Sequence, residues 1–360
     1  MAFDDSNSNS VYDAGKEKVG FLKDQIVLDK SISGLKINLF PSKKALKYEE
    51  MKEVPGGILM TFEGNPDVVK VLSVSEKLKN YKVTHLPKSD SINIWFNAKE
   101  QNLGIDASDN LKFSYDDGVK KDTVSVFYRY NKKNEMSVTN NSGNLLAPNE
   151  DFVLTSNYFV DKIQPEKWTL VSDSISQEFT AKIGEKNPYQ IKITSNFKEG
   201  KKYSLTVPKG TISSFFESTT ISKRFDFETD KSEKYGSLFL TLQNAPSENF
   251  WFQLVNENGT VIYSKYGKDP QIIFKSLRPQ KYQPRILVDN NGNGIWDAAD
   301  FKNGIIAEDV FMYEKKVEIR PLWEIRETWN LQATEILPTK TVSDEKILSP
   351  TKTDSPKKQE

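Results

Sequence analysis

The sequence contains no cysteine and only one histidine, His85, among 360 residues. The first absence excludes disulfides, thiol nucleophiles and thiolate metal sites, and leaves the compartment open, since a cysteine-free envelope protein is ordinary. The second excludes a multi-histidine zinc site. There is no run of about 18 apolar residues, so no transmembrane segment is expected. The opening MAFDDSNSNS has neither the basic start nor the apolar core of a signal peptide. Nor is charge of one sign in excess: Lys plus Arg and Asp plus Glu each total 50. Bulk electrostatics therefore give no attraction for nucleic acid or an anionic membrane, and no nucleic-acid partner is expected.

Helical periodicity is almost missing too. Short runs alternate apolar and polar residues instead: QIVLD (25–29), GLKINLF (34–40), GILMTFEG (57–64), SINIWFNA (91–98), TVSVFYRY (123–130), YQIKITS (189–195), KYSLTVP (202–208) and SLFLTLQ (237–243). They are rich in Val, Ile, Thr and aromatics and are separated by Gly, Pro, Asn and Asp, which predicts an all-β chain of antiparallel β-sandwich modules in tandem. The length gives room for two to four domains of ~100–150 residues. In FWFQLVNENGTVIYSKY (250–266), Asn258-Gly259 predicts a hairpin with a type I′ turn. YDDGVKKD (115–122) reads as another hairpin turn, so Asp116 and Asp117 are turn residues rather than a catalytic pair. His85 has no serine or cysteine nucleophile motif beside it, and no enzyme is expected. Residues 332–360, filled with Thr, Ser, Pro and Lys, read as a disordered tail.

The stretch DNNGNGIWDAAD (289–300) carries oxygen ligands at calcium-loop spacing. Hard Ca²⁺ takes six to eight oxygens, from loop positions 1, 3, 5, a backbone carbonyl at 7, then 9 and a carboxylate at 12, with Gly at 6 for the bend. Asp289, Asn291, Asn293, Ile295, Asp297 and Asp300 occupy the ligand positions and Gly294 the bend. The start of the chain repeats the pattern, since DSNSNSVYDAGKEKVGF aligns without a gap on DNNGNGIWDAADFKNGI, with Tyr12 facing Trp296 and Gly20 facing Gly304. A second, weaker site of Asp5, Asn7, Asn9, Val11, Asp13 and Glu17 is expected, because Ser10 stands at the bend and Lys16 at position 12. Residues 1–40 thus read as the closing half of a module whose whole copy is 233–331. They belong either to a fragment lacking its N-terminus or to a segment that borrows its partners elsewhere.

FDFETDKSEKYG (225–236), SLRPQKYQPRILVDNNGNGIWDAADF (276–301) and VEIRPLWEIRETW (317–329), in this order, resemble Bacteroidetes envelope proteins with Ig-like domains, which are typically lipoproteins. Residues 136–232 look like an S-layer-type bacterial Ig-like domain. Residues 233–331 look like a transthyretin- or prealbumin-like sandwich, which in surface proteins often carries calcium in its DxNxNG loop. Residues 41–135 form a small β domain without an assignment. The resemblance implies a non-catalytic, modular cell-envelope or outer-membrane-surface protein with structural calcium and a protein or glycan partner, although no lipobox is present. The alternative is a carbohydrate-binding surface protein that uses Trp95, Trp168 or Trp251 as stacking platforms.

Overall fold

The computed structural model describes residues 1–21, 37–87, 89–140 and 143–333; QIVLD, part of GLKINLF and the tail from 334 lie outside them. The described residues are all-β, their helical content limited to short 3-10 turns. No helix among the described residues is long and apolar enough to cross a membrane. The described residues divide into two compact units, one within Leu46–Asp230 and a discontinuous one that joins those of Met1–Ala45 to residues 231–333.

Leu46–Asp230 contains two cores. In the first, a four-stranded sheet (Lys47–Val54, Gly57–Glu63, Ser91–Trp95, Lys82–His85) faces a three-stranded one (Lys121–Tyr128, Asp109–Asp116, Lys70–Ser73). Alternation puts Ile58, Met60 and Phe62 on the buried side together with Ile92, Ile94, Leu111, Phe113 and Tyr115. The second core lies between the sheets that contain Phe152–Ser156 and Gln190–Ser195 on one side and Lys202–Val207 and Lys223–Thr229 on the other. Phe152, Phe227, Leu205 and Trp168 fill it, and Trp95, from the first set of strands, joins it beside Tyr158.

In the other unit, Gln271–Leu277, Gly236–Gln243 and Glu324–Asn330 form one sheet. A second contains Val261–Gly267, Asn249–Val255, Lys281–Asp289 and Val310–Met312. Between them lie Leu238, Leu240, Leu242, Phe250, Phe252, Leu254, Ile286 and Trp329. The closing strand Glu324–Asn330 runs parallel to Gly236–Gln243, so the antiparallel plan has a parallel edge. Such pairing needs a long crossover, and here the rest of the module supplies it.

The hairpin at Asn249–Val255 and Val261–Gly267 forms, but not with a type I′ turn. Gly259 has φ +80°, whereas Asn258 keeps a negative φ. The five residues Asn256 to Thr260 make the connection, because the Asn256 side chain accepts hydrogen bonds from the N–H groups of Asn258 and Thr260. That side-chain turn replaces the second positive-φ residue. In the other turn, Asp116 and Asp117 accept backbone N–H groups from Gly118, Val119 and Lys120, as turn residues do.

Candidate metal-binding loops

Both acidic loops sit at the end of a paired strand, and both have one hydrogen-bond pattern. In the second, Asp289 ends the strand Lys281–Asp289 and accepts from the N–H groups of Asn293 (3.1 Å) and Gly294 (2.7 Å). The Asn291 side-chain oxygen accepts from Asn293 N–H (3.0 Å) and that of Asn293 from Ile295 N–H (2.7 Å). In the first loop Asp5 accepts from Asn9 (3.0 Å) and Ser10 (2.9 Å), Asn7 from Asn9 (3.1 Å), and Asn9 from Val11 (2.7 Å). The side-chain amides of Asn291 and Asn293 both donate to Asp297 Oδ2, at 2.6 and 2.8 Å. Those of Asn7 and Asn9 do the same to Asp13 Oδ2, at 2.6 and 3.3 Å.

The flanking strands repeat as well. Phe3 pairs with Val19, and Leu287 with Val310. Asp4 N–H bonds Lys18 O at 3.0 Å and Val288 N–H bonds Asp309 O at 2.9 Å. Val19 and Val310, each 0% exposed, lie in one cluster with Leu287, Phe40, Ala299 and Ala307, against which Phe3, Tyr12 and Trp296 pack. The two copies of the repeat therefore share a core, in which Phe3, Tyr12, Val19, Phe21 and Phe40 meet apolar residues after 231.

Each loop is shut by a buried glutamate. Glu17, 3% exposed, accepts from Ser6 N–H (3.1 Å) and Asp13 N–H (3.0 Å). Glu308, 5% exposed, accepts from Asn290 N–H (2.6 Å) and Asp297 N–H (2.8 Å), the corresponding positions. Glu308 is therefore the partner of Glu17, and the gap-free alignment ends at Asp13 and Asp297. The second copy carries seven more residues between its ninth position and its glutamate, since the separations are four and eleven. Asp300 lies inside that insertion. Its carboxylate accepts from the Asn303 N–H (3.2 Å) and side-chain amide (2.8 Å) and lies 3.8 Å from Lys43 Nζ. The shared spelling E-x-V, Glu17-Lys18-Val19 and Glu308-Asp309-Val310, is the sequence signal for this match.

The two buried carboxyls of the second loop are shifted in opposite directions. Burial works to raise the Asp289 carboxyl, but the Tyr266 hydroxyl at 2.6 Å and the N–H groups of Gly294, Asn293 and Gly292 outweigh it and hold the acid below its ordinary range. Burial pushes Glu308 up, with the Asp297 and Asn290 N–H groups opposing. Among the described residues no three or more His, Cys, Asp or Glu groups are set as a ready metal cluster. A cation here would take amide and carbonyl oxygens as well as carboxylates. It would also require the Asn291 and Asn293 amides to turn their oxygens inward, away from their present bonds to Asp297.

His85 is held between Asp67 Oδ1 (3.1 Å) and Ser89 O (2.8 Å), with both ring nitrogens occupied. Trp95 and Trp168 are buried and donate to Thr84 and Thr211 hydroxyls, while Trp251, partly buried, donates to Gly294 O at 3.1 Å.

No family model matches the chain, and no curated protein matches it. Among solved structures, it is similar to native alpha-2-macroglobulin from Escherichia coli spanning domains MG0-NIE-MG1, at 8% identity over 49% of this chain and 77% of that one, TM-score 0.24. The TIE protein of Bacillus anthracis is 14% identical over 79% of this chain and 57% of that one, TM-score 0.19. Domains 4–9 of the surface layer protein SbsC are 13% identical over 77% and 51%, TM-score 0.23. The chain thus spans little more than half of the latter two structures, and all three TM-scores lie below 0.5.

Proposed function

We propose that this is a non-catalytic, modular cell-envelope protein in which calcium, held in the two acidic loops, rigidifies the unit built from Met1–Ala45 and the residues after Lys231. The observation that carries the calcium reading is the duplication of one loop pattern, residue for residue, at two places in the chain. Asp289 and Asp297, the side-chain oxygens of Asn291 and Asn293 and the Ile295 carbonyl would supply five oxygens, and water would complete six to eight. Glu308 takes the closing role in place of Asp300, because it bonds both ends of the loop while Asp300 faces the short helix after it. Asp5, Asn7, Asn9, Val11, Asp13 and Glu17 form the corresponding first set. The cell-envelope part rests on the resemblance of residues 276–329 to surface modules. The glycan-stacking reading has no comparable support, since two of its three tryptophans are buried and the third is turned to a loop carbonyl.

The test is a thermal melt of the full chain with calcium and with chelator. A ligand bound only by the native state stabilises it by ~2.7 kcal/mol at a hundredfold excess over its dissociation constant. An upward shift of the transition is expected in calcium, largely absent in Asp297→Ala. Identical melts with calcium and with chelator would refute the calcium reading.

A further inference from the structure

The seven extra residues of the second copy lie against the first copy. Ala299 forms a parallel bridge with Ser42, accepts from Lys43 N–H at 2.7 Å and donates to Pro41 O at 3.2 Å. Phe301 meets Tyr12 edge-on at 6.1 Å and Phe21 at 5.3 Å. Ser42 in turn grips the end of the first loop, its hydroxyl donating to Glu17 O (2.7 Å) and accepting from Gly15 N–H (2.7 Å). A short path of bonds therefore runs from Glu17, which shuts the first loop, through Ser42 to Ala299, two residues beyond Asp297 in the second. Beneath that path, Phe3 and Val19 share their core with Leu287 and Val310.

We propose that the segment from Ala298 to Ala307 is a clasp that couples the two loops, so that ordering one orders the other and calcium is taken up cooperatively. Its calcium aspect rests on the function proposed above. The physical ground is that neither copy of the loop has a core to itself. Tightening either loop fixes the strand pair behind it, and the two strand pairs pack on each other. Couplings of this kind typically change an affinity by 5–150-fold and are reciprocal. A chain of contacts shows only where coupling can pass, so the measurement must be of coupling itself.

A double-mutant cycle in the full chain supplies it, read by calorimetric calcium titration and by amide hydrogen exchange. In the unaltered background, Asp13→Ala weakens calcium at the second loop about five-fold or more. With Ser42→Ala and Phe301→Ala present, the shared core remains and the same substitution weakens that affinity by a clearly smaller factor; an undiminished factor would overturn the clasp. Residues 2–20 then exchange faster in calcium-free buffer while 236–289 keep their protection. Phe301→Leu, which keeps the apolar bulk, retains the coupling. Two independent calcium sites, with the second indifferent to Asp13→Ala, would overturn the coupling and leave the calcium reading intact. Absence of any calcium heat in the unaltered chain would overturn both.

Discussion

Ser8 and Ser10 occupy the left-handed region, with φ +58° and +59°, where the second loop has Gly292 at +71° and Gly294 at +78°. An L-residue in that region pays about 1–2 kcal/mol through the approach of its Cβ to the following carbonyl oxygen. Replacing it with glycine removes this strain but frees the unfolded chain, which takes back about 0.4–1 kcal/mol. The net gain is about 0.5–1 kcal/mol for each serine, or ~1–2 kcal/mol for Ser8→Gly with Ser10→Gly if the two act independently. Both positions are exposed, and an added Cβ at either Gly292 or Gly294 meets nothing within 4 Å, so strain in the backbone and not crowding sets the sign. The gain should appear as about 5–30-fold slower amide exchange across residues 2–20 in calcium-free buffer. Gly294→Ser should produce the opposite effect in the second loop. Equal or faster exchange in the double glycine variant would show that the serines carry no strain.

Two further outcomes concern Leu46–Asp230. Gly56 has φ +82°, and a Cβ there would lie 2.4 Å from the Tyr158 ring and 2.9 Å from Trp95. Gly56→Ala therefore combines backbone strain with overpacking and should cost about 2–5 kcal/mol in urea unfolding; a loss below about 1 kcal/mol would refute the close approach. Glu217 is raised above 4.5 by burial, with the Tyr158 hydroxyl at 3.2 Å partly offsetting it. A folded pKa above the unfolded one means that the favourable contribution is complete below about 4.5 and is lost as pH rises through the folded value. Glu217→Gln stays neutral and can accept the same hydrogen bond, so it should be more stable than the unaltered chain at pH 7, with the difference closing toward pH 4. A gap that does not change with pH would refute this.

The sandwiches were readable wherever one face of a strand is buried. SLFLTLQ puts Leu238, Leu240 and Leu242 inside, and GILMTFEG does the same with Ile58, Met60 and Phe62, because period-two alternation and burial on one side are the same physical fact. The Asn258-Gly259 turn was misread because the deciding group, the Asn256 side chain, lies outside the dipeptide that signals the turn. The parallel pairing of Glu324–Asn330 with Gly236–Gln243 was not readable either, since alternation looks the same in a strand that joins its neighbour in either direction.

The loops divide along the same line. Asp, Asn and Gly at fixed offsets report local turns, so Asp5 to Asp13 and Asp289 to Asp297 were legible, down to the matching amide bonds. The glutamate that shuts each loop reaches it across a strand pair, and what fixes its place is the pairing of Val19 with Phe3 and of Val310 with Leu287, not its distance along the chain. An insertion between the loop and that strand leaves the pairing untouched while moving the glutamate by seven positions, which drew the twelve-residue rule to Asp300. Of the two copies, the first has the shorter connection but the strained turn, and the second the relaxed turn and the insertion. The insertion is also where the second copy contacts the first, through Ala299 and Phe301. The same residues that broke the repeat in the sequence thus join its two copies in space.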